Sequence, residues 1–181
     1  MRRWWRGRRF AVSSLLIALT VTGAWVIERW GPGLIPVDWS FAGSGRLCAM
    51  DQVLDGDSLR LTCGGKSVEV RLYCIDAPEK GQKPWGNRSR AHLKRLATDR
   101  VEMRPIETDR FGRTVAEVYT AKGERLSLNL EQVKQGQAAV YPRYCEESRF
   151  FRAERKARAA ELGIWGTQGE HQTPWTFRHR R

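Results

Sequence analysis

Two turn signals, Asp55-Gly56-Asp57 and Gly64-Gly65, divide residues 46–72 into three short β-type runs, 46–53, 58–63 and 67–72. Turn pairs at this spacing, between segments of strand-like alternation, predict an antiparallel meander. The first turn is also unusually acidic. Arg71 lies on the third run, and Asp76-Ala77-Pro78-Glu79 follow it directly. A carboxylate is costly to bury unless it is paired or ligated. The meander must therefore present these groups to something other than a hydrophobic core.

Beyond the meander, residues 87–97 place Ala91, Leu93, Leu96 and Ala97 among Arg and Lys at helical intervals, which predicts a first helix. Two more strands, 101–106 and 114–119, flank a polar loop at 107–112. Asn129 suits the N-cap of a helix over 130–135 that Gly136 stops. A longer basic helix spans 147–162, with Phe150, Ala153, Ala157 and Ala160 near one face. Five strands with helices interleaved late predict an α+β domain, a five-stranded OB-fold β-barrel with three helices packed on it. With 181 residues, 41% of them hydrophobic, the chain has material for one such domain and some flanking sequence.

The flanks differ in kind. Residues 1–9 carry five arginines, and residues 10–27 carry no charge, so the start reads as a basic n-region and a hydrophobic helix of an export signal. The arginines would stay in the cytoplasm and everything after residue 27 would lie outside it. Thr22-Gly23-Ala24 offers a cleavage site, whereas Trp25 and Trp30 suit interfacial anchors; the balance leans toward an uncleaved membrane anchor over a secreted product. Residues 28–45 read as a Gly/Pro-rich linker, 46–166 as the globular domain and 167–181 as a basic tail.

Four cysteines fit an exported domain, where an even number can pair fully. Cys48 and Cys63 flank the first turn at nearly equal distances, which makes Cys48–Cys63 the first pair and Cys74–Cys145 the remainder. No CxxC spacing points to zinc. The histidines, His92, His171 and His179, form no metal set and read as surface residues. No Walker-type glycine loop implies ATP.

Lys and Arg exceed Asp and Glu by twelve, and by seven once the five leading arginines are set aside. A polyanion such as nucleic acid is one partner for that excess. An anionic membrane surface or plain solubility is the other explanation. The acids decide more. Asp55, Asp57, Asp76 and Glu79 supply hard oxygen donors of the kind calcium takes, and the forks of Arg71 and Arg113 match phosphate oxygens. Together they predict metal-assisted phosphoryl chemistry.

The segments 53–58 (VLDGDS), 70–79 (VRLYCIDAPE) and 109–113 (DRFGR), in this order and followed by 129–136 and 162–166, resemble the staphylococcal nuclease, or thermonuclease, family. The resemblance covers about 46–166 and implies an OB barrel with three helices. It further implies that Asp57 and Asp76 ligate Ca²⁺ with the backbone carbonyl of Ala77, while Asp55 stands in the outer shell. Glu79 would orient the attacking water. Arg71 and Arg113 would hold the scissile phosphate, so that hydrolysis of DNA or RNA leaves 3′-phosphate ends. Tyr141 matches only loosely an aromatic that packs on the base, and Ala77 stands where the best-known member has threonine. The lysine-rich loop after the proline-glutamate motif is shortened to residues 80–85, so the choice between DNA and RNA does not carry over. The domain is expected to act as a monomer. The alternative from another class is a catalytically silent OB module that binds nucleic acid or a protein; retention of all six acids and arginines favours the enzyme.

Overall fold

The computed structural model describes residues 45–180; the hydrophobic segment 10–27 and most of the linker lie outside the described residues. Alternation in β1 (Arg46–Val53), β2 (Ser58–Cys63) and β3 (Lys66–Leu72) turns one face of each strand inward, burying Cys48 and Val53, Leu59 and Leu61, and Val70 and Leu72. These strands form the antiparallel meander, in a register that sets Ser58 opposite Arg71 and Leu59 opposite Val70. After a two-residue strand, β4 (Ile75–Asp76), the chain forms helix α1 (Trp85–Leu96) and returns as β5 (Arg100–Thr108) and β6 (Thr114–Thr120). β5 pairs with β1, and β6 runs parallel to β3, which closes a barrel in the order β1-β2-β3-β6-β5. A parallel pair needs a long connection, and α1 with β5 supplies it. Pro105, which cannot donate to a ladder, sits where the β5–β6 register shifts.

Val101, Met103, Ala116 and Val118 complete the interior, and Leu93 of α1, Leu128 and Val133 of α2 (Leu128–Lys134) and Phe150 of α3 (Ser148–Ala159) cover it. The OB-fold barrel expected from the sequence is thus present. Two details differ. The N-cap of α2 is Ser127, whose hydroxyl accepts the Leu130 N–H at 3.2 Å. Ser127 still bridges to Tyr119, so the backbone stays extended until that residue and the helix starts just after it. Asn129 is instead fully buried, where its amide donates to the Tyr73 and Ala116 carbonyls and accepts from the Val118 N–H.

The second difference is in the tail. A 3₁₀ turn (Glu170–Gln172) and a fourth helix, α4 (Pro174–His179), fold there. His171, read from the sequence as a surface residue, is buried and stacks on Trp85 with ring centroids 4.4 Å apart. Its Nε2 lies 3.0 Å from the carbonyls of Ile164 and Thr167. The turn carrying Ile164 reaches α2 through a glycine pair. Gly136 (φ 60°) and Gly163 (φ 52°) meet so closely that a Cβ on either would strike the other's segment at about 2 Å, so both need glycine's freedom.

Disulfides join Cys48 to Cys63 across β1 and β2, and Cys74 to Cys145. β4 pairs with β7 (Ala139–Val140), which places Asp76 opposite Ala139. Among the described residues no helix is long and apolar enough to cross a membrane.

Candidate active site

The β1–β2 turn, β3 and β4 converge at one end of the barrel, and each delivers one part of an ionic cluster. The turn is tied by the Asp57 N–H, which donates to Asp55 Oδ1 at 3.0 Å. Gly56 lies against α1 and Ala77 so tightly that a Cβ there would stand 2.0 Å from Ser89 Oγ and 2.6 Å from the Ala77 methyl. Its carbonyl accepts from Gln132 Nε2 at 2.6 Å, so α2 holds the turn from beneath. Gln132 is itself fully buried, and its Oε1 lies 2.5 Å from His92 Nδ1.

Arg71 bridges the two buried aspartates, with Nη1 2.5 Å from Asp57 Oδ2 and Nη2 2.7 Å from Asp76 Oδ1. The Ala77 N–H donates to Asp57 Oδ2 at 2.6 Å. Asp76 is wholly inaccessible, yet Glu79, three residues on, is more than a third exposed. The Glu79 N–H donates to Gln82 Oε1 at 2.8 Å, which fixes the backbone from which this carboxylate projects. Beside it a cavity of about 370 Å³ is lined by Asp55, Glu79, Lys80, Gly81, Phe177 and Arg178.

Crowded acids perturb one another. Burial and the charge of Asp57 push Asp55 up to about 7. Burial and the same neighbour push Asp76 up to about 6, against the pull of Arg71 and Arg178. Asp57 goes the other way: burial would raise it, but Arg71 and the Ala77 N–H hold it below the usual carboxylate range. Burial also opposes the charge on Arg71, but Asp57 and Asp76 raise its affinity for the proton above the ordinary value.

The structure therefore brings together Asp55, Asp57, Arg71, Asp76, Ala77 and Glu79. Arg113 is positioned separately. It lies in the β5–β6 turn just ahead of Thr114, which pairs with Val70, and its guanidinium Nε donates to Asp109 Oδ2 at 2.8 Å. Asp109 Oδ1 also accepts the N–H groups of Phe111 and Arg113, shaping that turn. Tyr141 has its ring stacked on Trp175 of α4, 5.2 Å between centroids and 5° from parallel. Arg178 of the same helix donates to Asp76 Oδ2 at 2.7 Å and to Glu79 Oε1 at 2.5 Å. Sequence reasoning assigned no role to Arg178, Trp175 or Gln132. The available signal was the segment Pro174-Trp-Thr-Phe-Arg178, with a proline suited to the first turn of a helix.

The donor set suits a hard divalent cation. It offers carboxylates, two of which burial and then the charge of Asp57 make harder to ionise, a cost that added positive charge would offset. Among the described residues no three His, Cys, Asp or Glu side chains are grouped as a cage. A cation on Asp57 and Asp76 would draw its other ligands from a backbone carbonyl, water and substrate, as calcium and magnesium commonly do.

A closed five-stranded barrel that carries hard oxygen donors, a buried arginine bridge and an open cavity defines an OB-fold protein equipped for phosphoryl chemistry. The family described as staphylococcal nuclease homologue matches residues 69–167, and the chain belongs to that family and is a nuclease of it. Among its relatives is an uncharacterized endonuclease of Haemophilus influenzae, 35% identical over 160 residues that cover 87% of this chain and 79% of the relative. An uncharacterized endonuclease of Escherichia coli O157:H7 is 34% identical, covering 72% of this chain and 83% of its own length. A micrococcal nuclease of Shigella flexneri is 32% identical, with 70% and 77% covered.

Proposed function

We propose that the chain is a Ca²⁺-dependent endonuclease that hydrolyses phosphodiesters of DNA or RNA outside the cytoplasm and leaves 3′-phosphate ends. The observation that carries this reading is the Asp57–Arg71–Asp76 bridge with Glu79 at its open side. Asp57 and Asp76, with the carbonyl of Ala77, would hold the cation, and Asp55, which lines the cavity, would stand in its outer shell. Bound Ca²⁺ would polarise the phosphate and neutralise charge gathering on it. Glu79 faces the cavity on a fixed backbone and orients the attacking water. Oxygen from that water joins the phosphorus, the bond to the 5′ oxygen breaks, and the leaving oxygen takes up a proton. Arg71 sits beside the cation-holding aspartates, where its fork stabilises the developing negative charge. Arg113 reaches the same phosphate from the neighbouring turn by exchanging its partner Asp109 for substrate. Tyr141 packs on a base.

Export is supported by the uncharged segment 10–27 behind five arginines and by two disulfides in the globular part. Retained as an anchor, that segment would hold a monomeric nuclease at the membrane with its site outside.

The test is cleavage of single-stranded DNA and of RNA by the full chain, with Ca²⁺ and then with EGTA. Calcium-dependent fragments ending in 3′-phosphate are expected. Intact nucleic acid that is nonetheless retarded on a gel would replace the enzyme with a binding module.

A further inference from the structure

Helix α4 touches the site at two separated points, and each point matches a different part of a nucleic-acid complex. Trp175 and Arg178 are three residues apart and so share one face of the helix. Trp175 lies flat on Tyr141, the arrangement in which an aromatic side chain takes a nucleobase. Arg178 spans Asp76 and Glu79 and places positive charge between them. Asp76 thereby has one oxygen on Arg71 and the other on Arg178.

We propose that α4 is an intramolecular occupant of the active site, with Trp175 in the place of a base and Arg178 in the place of a cation, and that divalent cation and nucleic acid must displace it. The inference rests on the reading of Asp76 as a cation ligand and of Glu79 as the water-orienting group. Arg71 occupies Asp76 Oδ1 and leaves Oδ2 as the oxygen for a cation; an Arg178 N–H and a divalent cation cannot both take that one oxygen at bonding distance, so Asp76 Oδ2 serves one or the other.

The tail is built to release α4 without coming loose itself. Its anchor is the 3₁₀ turn: His171 is buried against Trp85, and the Glu170 carbonyl accepts from Gln82 Nε2 at 2.9 Å. Its latch is α4, six residues long, whose Arg178 side chain is more than a third exposed. Thr173 joins the two, with φ −134° and ψ 70°, and is the residue about which the helix would turn. Gln82 links the parts, since its Oε1 holds the Glu79 backbone while its Nε2 holds the anchor. The helix can therefore swing away while Glu79 keeps its position.

Calorimetric titration of the full-length chain with Ca²⁺ tests this without recourse to turnover. Arg178→Ala is expected to bind Ca²⁺ about tenfold more tightly than the parent, as befits the loss of one charge-assisted competitor for Asp76 Oδ2. Trp175→Ala, which unlatches the helix at its other point, is expected to shift affinity in the same direction. Hydrogen exchange provides the second readout: amides of 175–179 should lose protection when Ca²⁺ and a single-stranded oligonucleotide are added together. Equal or weaker Ca²⁺ binding by both variants would overturn the proposal and leave the calcium site standing, as would undiminished protection of α4. Absence of Ca²⁺ binding in parent and variants alike would remove the calcium site, and the displacement with it.

Discussion

Asp76 and Glu79 are three residues apart and opposite in character, one sealed and paired twice, the other open to the cavity. That contrast separates a ligand from a reagent. Changing Glu79 to Gln keeps the shape and one acceptor oxygen but removes the charge that orients and activates water. Turnover should fall by about 10²–10⁴ with Ca²⁺ affinity at or above the parent value, because Arg178 loses one of its two carboxylate partners, measured by single-turnover cleavage and calorimetry on the same sample. Loss of Ca²⁺ binding instead would make Glu79 a ligand. The acids and Arg71 were legible in the sequence because an ionised group following a strand needs a partner wherever it ends up. Arg178 was not, since its partner Asp76 lies 102 residues away and no spacing rule reaches that far. The burial of His171 was equally hidden, because it depends on Trp85 of α1 standing where the tail passes.

At the scale of elements, α2 does more than cover the barrel. Its Gln132 holds the Gly56 carbonyl between the two aspartates of the turn, and also contacts Ser89 of α1. In Gln132→Leu the Gly56 carbonyl would lose a buried donor, at a cost of about 1–3 kcal/mol. The turn would loosen as well, so Ca²⁺ affinity should drop along with the melting temperature; a fall in melting temperature alone would limit Gln132 to stability. Strands were legible from alternation and turn residues. The start of α2 was misread because Ser127 and Asn129 are both good capping types, and only the bridge from Ser127 to Tyr119 decides between them. On β5, Glu102 is clamped by Arg125 and Arg104, whose hydrogen bonds lower its carboxyl to about 2. An acid with a depressed folded-state pKa contributes stability that is present above its unfolded value and lost as pH falls through the folded one. Glu102→Gln should therefore lower the melting temperature by roughly 2 °C at pH 6, a difference that disappears near pH 2, as thermal melts across that range would show.

For the molecule as a whole, the two disulfides constrain the parts that carry the acids. Cys48–Cys63 closes a segment of 15 residues around the Asp55-Gly56-Asp57 turn. Cys74–Cys145 closes 71 residues and ties the approach to Asp76 to the chain ahead of α3. Loop-closure entropy grows with the logarithm of length, giving about 3 kcal/mol for the shorter loop and about 4 for the longer. The double variants Cys48→Ala/Cys63→Ala and Cys74→Ala/Cys145→Ala should follow that order in urea denaturation. Their effects on the site should differ more than their stabilities. Asp55 and Asp57 remain held by Gln132 and by β-pairing when the first bond is removed. Asp76 sits on a two-residue strand whose partner, β7, continues through Tyr141, with its N–H on the Cys74 carbonyl, toward Cys145. Removing the second bond therefore frees both sides of the ladder that positions Asp76. Ca²⁺ affinity, measured where both variants remain folded, should fall in the Cys74/Cys145 pair and stay near the parent in the Cys48/Cys63 pair. The reverse order would mean that the turn, and not the β4–β7 ladder, limits how well the acids are held.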